Sequence, residues 1–135
     1  EIPLRLVGSE MCIRDSVLLI PVVYLMIYVS QVQAAAFASV AAADQAVKAV
    51  VAEADHPSAG AAHATVELTL ADYGVGAGQY DLTVGCDQGG CGTLEPGEVV
   101  AVRVDVGVPV PLTPAAWSLT PVTVGSDARQ TVPRF

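Results

Sequence analysis

Cationic side chains are scarce in this chain. Six Lys and Arg stand against fourteen Asp and Glu, for a net charge of −8. Nucleic acid needs a clustered basic surface, so that class of partner is excluded. The same deficit excludes electrostatic docking on anionic lipid, leaving a hydrophobic segment as the only route to a membrane. Aromatic residues are only 5% of the chain, so any core must be built largely from Ala and Val. Histidine occurs twice, at His56 and His63, separated by Pro57 and a helix start. Their spacing with the cysteines enforces no ligand set, and no metal is expected. Nothing resembles a nucleophile motif around Ser118, Ser126 or the histidines, so neither catalysis nor a cofactor is expected. Gly74-Val75-Gly76-Ala77-Gly78 lacks the Lys-Ser/Thr ending of a phosphate loop, and reads as a connection between a helix and a strand.

The first sixteen residues resemble translated sequencing adapter. Leu6-Val7-Gly8-Ser9-Glu10-Met11-Cys12-Ile13-Arg14-Asp15 is what CTCGTGGGCTCGGAGATGTGTATAAGAGAC encodes in triplets, and Ser16 fits the bases that follow. Residues 1–16 are therefore expected to be an artefact and are set aside from fold reasoning. Without them eleven acidic residues remain, against Lys48, Arg103, Arg129 and Arg134. Cys12 leaves the cysteine count, so Cys86 and Cys91 stand as an even pair.

What the chain does contain is a long hydrophobic run: Val17, Leu18, Leu19, Ile20, Pro21, Val22, Val23, Tyr24, Leu25, Met26, Ile27, Tyr28 and Val29. At a rise of 1.5 Å per residue it spans about 20 Å, roughly 10 Å short of a hydrocarbon core. Residues missing at the adapter junction would complete it. Insertion is favoured by several kcal/mol even with Pro21 present. Gln31 and Gln33 introduce polarity, and helix formers then continue without Gly or Pro. One helix is predicted from residue 17 to about residue 54, with residues 17–36 in the membrane. Phe37, Val40, Ala43, Val47 and Val50 or Val51 form its expected apolar face beyond the membrane. Ala42 is assigned to a polar-faced part of this stem.

A second helix is predicted from about residue 58 to residue 73, with Ala62, Val66, Leu70 and Tyr73 on one face. Gly74, Gly76 and Gly78 end it. The period then becomes two. Tyr80, Leu82, Val84 and Cys86 share one strand face, and Val100, Val102, Val104, Val106 and Val108 share another. A third strand runs from about Leu119 or Val122 to Thr131. Pro109, Pro111, Pro114 and Pro121 punctuate the connection before it, and Trp117 is expected to cover the sheet end. The fold class is α+β: a long N-terminal membrane-anchoring helix continuing into a stem, a second short helix, and a three-stranded antiparallel sheet.

Cys86 and Cys91 enclose a turn-forming tetrapeptide between the first two strands. In an exported domain they are expected to form a disulfide, which closes a short loop and contributes about 2 kcal/mol.

In order and spacing these pieces resemble a TadE-like protein of the tight-adherence (Flp) pilus assembly system, of actinobacterial type. The resemblance begins at Leu18-Leu19-Ile20-Pro21-Val22-Val23-Tyr24-Leu25 and continues through Gln31-Val32-Gln33-Ala34, Phe37-Ala38 and the Ala-rich helix. It includes Leu68-Thr69-Leu70-Ala71-Asp72-Tyr73-Gly74-Val75, Cys91, Glu95-Pro96-Gly97, the valine strand and Val108-Pro109-Val110-Pro111-Leu112. It implies a minor pilin or pseudopilin, single-pass in the cytoplasmic membrane, with residues 37–135 as an extracytoplasmic pilin-like domain. Other pilin or pseudopilin subunits, the assembly platform and membrane lipid would be its partners, with no small-molecule substrate. The Glu that such proteins carry early in the hydrophobic segment is absent here, and its place falls in the adapter stretch. The alternative is a small secreted α+β binding domain, released by signal peptidase near Ala36–Ala38, where Ala34-Ala35-Ala36 or Ala36-Phe37-Ala38 supplies an A-x-A site.

Overall fold

The structure, a computed structural model, describes residues 2–87, 90–111 and 122–134. Five elements follow in chain order: helix α1 (Ile2–Ala52), helix α2 (Ala59–Asp72), and strands β1 (Tyr80–Cys86), β2 (Val99–Val108) and β3 (Val122–Thr131). This is the expected α+β architecture. Helix α1 also runs through residues 2–16 and ends at Ala52, two residues before the predicted end. Trp117 and Ser118, like Leu119, Pro114 and Pro121, lie outside the described residues. The chain divides between Gln31 and Val32 into two compact units.

In the first unit, the stretch 17–29 is rich in β-branched residues, which are mediocre helix formers in water. Pro21 lies within the helix and removes a backbone donor. Such a segment stays helical most readily where no water competes for its backbone groups.

In the second unit, the buried side of α1 comprises Ala35, Ala38, Ser39, Ala42, Ala43, Ala46, Val47, Val50 and Val51. This corrects two expectations. Phe37 and Val40 are not on the core face: they are 70% and 56% exposed. Ala42 is fully buried rather than part of a polar face. The physical reason is size. Methyl side chains take little room on the buried side of the helix, and a Phe in their place would demand far more. Ser39 is tolerated in the core because its hydroxyl donates to the Ala36 carbonyl at 2.9 Å. On the exposed side, Asp44 and Lys48 pair at 2.6 Å, one turn apart.

Ser58 caps α2, its Oγ accepting from Ala61 N at 3.2 Å while donating to Glu53 Oε2 at 2.9 Å. Ala62, Val66 and Leu70 are buried as expected. Tyr73 is not; it is 47% exposed. It sits at the C-cap with φ −99° and ψ 7°, where the helical stripe no longer applies. Gly74, at φ +76°, ends the helix. Its N–H reaches the Ala71 carbonyl and that of Val75 reaches the Leu70 carbonyl, which is a Schellman stop.

The sheet is an antiparallel meander in the order β1-β2-β3. On β2, Val100, Val102, Val104, Val106 and Val108 are buried. Opposite them lie Cys86, Val84, Leu82 and Tyr80 on β1, and Gln130, Ala128, Ser126, Val124 and Val122 on β3. This inner face and the buried sides of the two helices make one core. Glu95-Pro96-Gly97-Glu98 leads into β2 as a tight turn closed by Glu98 N to the Glu95 carbonyl at 3.0 Å. Gly97 takes the positive φ of +97° that the third position of a type II turn requires. The β2–β3 ladder then runs one residue past β3, with Val132 N donating to the Glu98 carbonyl at 2.8 Å.

Candidate functional site

Three features outside the core could carry function: an uncovered apolar helix, a covalently closed turn, and the polar face of the sheet. The first dominates. Within residues 12–52, α1 contains a window of mean hydropathy 1.8 with none of its residues buried. Every aliphatic side chain from position 17 to position 29 is exposed, Leu18 and Ile20 to 63% and 69%. A core helix of similar composition would be covered by its own protein. Apolar surface of this extent demands a non-aqueous neighbour, because leaving each large aliphatic side chain in water costs roughly 1.5–3 kcal/mol. The segment expected to be the anchor is therefore a membrane-compatible helix, long and apolar enough to cross a bilayer. Beyond Gln31 and Gln33, Phe37 and Val40 are two further exposed apolar side chains on α1.

The second feature is the Cys86–Cys91 disulfide, which the structure contains with a Cα–Cα separation of 5.5 Å. Cys86 is the last residue of β1, and Asp87 N continues the ladder to the Val99 carbonyl at 3.3 Å. The bond thus closes a small loop at the end of the β1–β2 pair. Further along the same connection, Leu94 is buried and its N–H reaches the Ala54 carbonyl at 3.1 Å, tying it to the chain just after α1.

The third feature is the outer face of the sheet. Arg103 projects there and binds Asp105 with both arms of its guanidinium, Nε to Oδ2 at 2.9 Å and Nη2 to Oδ1 at 3.1 Å. Those hydrogen bonds first, then the charge of Asp105 and last that of Asp127, raise the Arg103 pKa above its ordinary value against a small opposing effect of burial. Gly125 lies opposite Asp105 in the register, and a Cβ there would run into the Asp105 carboxylate. Arg129 and Asp127 form a looser pair at 3.7 Å, both well exposed.

At one end of this face an open groove of about 610 Å3 is lined by residues that include Gln79, Tyr80, Asp81, Asp105 and Thr123. Asp81 and Asp105 are register partners there, but Asp105 is already held by Arg103. Among the described residues no group of three or more His, Cys, Asp or Glu could hold a metal ion. His56 is exposed, and His63 lies with its ring centroid 6.4 Å from that of Tyr80. Neither histidine is gathered with the cysteines, which are bonded to each other. Ser126 is a half-buried residue of β3 facing Val104. Around Gly76 the glycine-rich stretch forms a turn, with Gln79 N on the Gly76 carbonyl and Gly76 N on Gln79 Oε1.

Sequence reasoning found the helix long and apolar enough to cross a membrane, and the disulfide. It missed the Arg103–Asp105 clasp and the role of Gly125, whose only signal was a glycine interrupting a strand. No protein-family model matches this chain, and no curated protein or solved structure matches it.

Proposed function

We propose that this chain is a membrane-anchored, TadE-like minor pilin or pseudopilin that takes part in assembling a tight-adherence pilus or a related secretion apparatus. Its work is assembly rather than reaction. The apolar helix keeps each subunit in the cytoplasmic membrane until packing against other subunits recruits it to the platform. The sheet domain lies outside and meets neighbouring subunits. Residues 1–16 are adapter-derived on this reading, and an independently prepared library should replace them up to about Val17.

One observation carries the proposal: an exposed apolar segment belongs to the same helix that supplies Ala35, Ala38 and Ala42 to the core. It also weighs against the secreted alternative. Signal peptidase cutting after Ala36 would remove Ala35 from the core, and cutting after Ala38 would remove a fully buried residue as well. The test is fractionation of the full-length native protein, followed by mass analysis of its N-terminus. It should stay with membranes through high salt and carbonate, because hydrophobic insertion is indifferent to screening. A soluble product beginning near Phe37 or Ser39 would overturn the anchored reading.

A further inference from the structure

We propose that two copies of this chain join through the outer edge of β3, antiparallel, in the register that sets Asp127 of each against Arg129 of the other.

Among the described residues, strand β3 has β2 on one side only. Its bonding alternates, and Val132 fixes the phase by donating to the Glu98 carbonyl. Counting back in steps of two, residues 130, 128, 126 and 124 exchange bonds with β2. The N–H and C=O groups of Thr123, Gly125, Asp127, Arg129 and Thr131 therefore point to the opposite edge. Bonds of Gly107 N to the Gln79 carbonyl and Asp87 N to the Val99 carbonyl set the same phase from the β1 side. Among the described residues nothing pairs with that outer edge. It is ten residues long and contains no proline or lysine of the kind that blunts edge strands.

The sequence of β3 is self-complementary in one register. Ala128 falls on the two-fold axis, where a non-bonded antiparallel pair brings the chains closest and a methyl group leaves room. Asp127 then faces Arg129 of the second copy, twice over by symmetry, and Gly125 faces Thr131. On the inner face Ser126 meets Gln130 and Val124 meets Val132. Pro133, which has no N–H, ends the ladder. Shifting the axis by one residue either way sets Asp127 against Asp127 or Arg129 against Arg129, and like charges directly opposite are destabilising. The exposed ion pair within each strand, at 3.7 Å, is loose enough to re-form between strands. Closed two-fold pairing of one patch with itself is the commonest way soluble proteins make dimers. This pairing is independent of the pilus reading and uses only the sheet.

The test uses full-length chain in detergent micelles, with Cys12→Ser to remove the exposed free thiol and Ala128→Cys to place one thiol beside its counterpart on the axis. Mild oxidation should give a disulfide-linked dimer on a non-reducing gel. Asp127→Arg alone, or Arg129→Asp alone, should lower its yield about tenfold, because two attractive pairs become two repulsive ones. The combined Asp127→Arg, Arg129→Asp exchange should restore it. Circular dichroism on each variant confirms that the fold is unchanged. Sedimentation of the chain without the new cysteine gives a second readout. A monomer at all concentrations overturns the proposal. So does a dimer indifferent to the single reversals, which would be held by its anchor helices, or a double exchange that fails to recover.

Discussion

A methyl group placed on Gly97 would meet the Arg134 guanidinium, with Nη2 at 2.7 Å, in a turn whose φ of +97° already disfavours any other residue. Gly97 thus makes room for the Arg134 guanidinium, and Gly125 for the Asp105 carboxylate that Arg103 clasps. Neither role was legible in the sequence, because each depends on a side chain brought in by strand register. The cysteine pair was legible, since five positions and a turn-forming interior admit few alternatives. Its energetic weight is small for the same reason. The double Cys86→Ser, Cys91→Ser variant should lose about 2 kcal/mol or less by denaturant titration, with strand content unchanged in circular dichroism, because the loop it opens is short. Loss of the whole fold would show that the bond holds more than its own turn.

At the scale of elements, helices and strands were read correctly from their periods, and so were Ala43, Val47, Val50 and Val51 on the inner face of α1, but Phe37 and Val40 were not. Phe37 and Val40 dominate any apolar periodicity by their size, while the alanines that the core uses contribute little to it. Along this stretch of α1 the small residues go inward and the large ones outward. This changes what a charge does along α1. Leu25→Arg should weaken membrane insertion by roughly 3 kcal/mol on the translocon scale, read as the fraction glycosylated or protease-protected in microsomes. Gln45→Arg, on an exposed position, should leave both insertion and stability nearly unchanged. Ala42 is no longer a neutral site, since an arginine there would be buried without a partner. The Schellman stop at Gly74 was half visible. The glycines announced an end to α2, while the bonds that make it, and the outward turn of Tyr73, belong to geometry.

For the molecule as a whole, the central strand sets both the core and the hazard. Before the chain folds, Val99–Val108 is a ten-residue segment of high β-propensity without proline, the kind that stacks with its own copies. Only Arg103 and Asp105 interrupt it with charge. In the native protein an ion pair whose arginine lies in open solvent adds little to stability, so replacing both by Val should leave the melting temperature close to its original value. Refolding from denaturant should tell a different story: light scattering and sedimentable material should rise steeply in that variant at protein concentrations where the parent stays clear. The clasp on the sheet's outer face therefore serves less as a fastener than as a gatekeeper, guarding the unfolded chain against its neighbours during the interval before the valines find their own core.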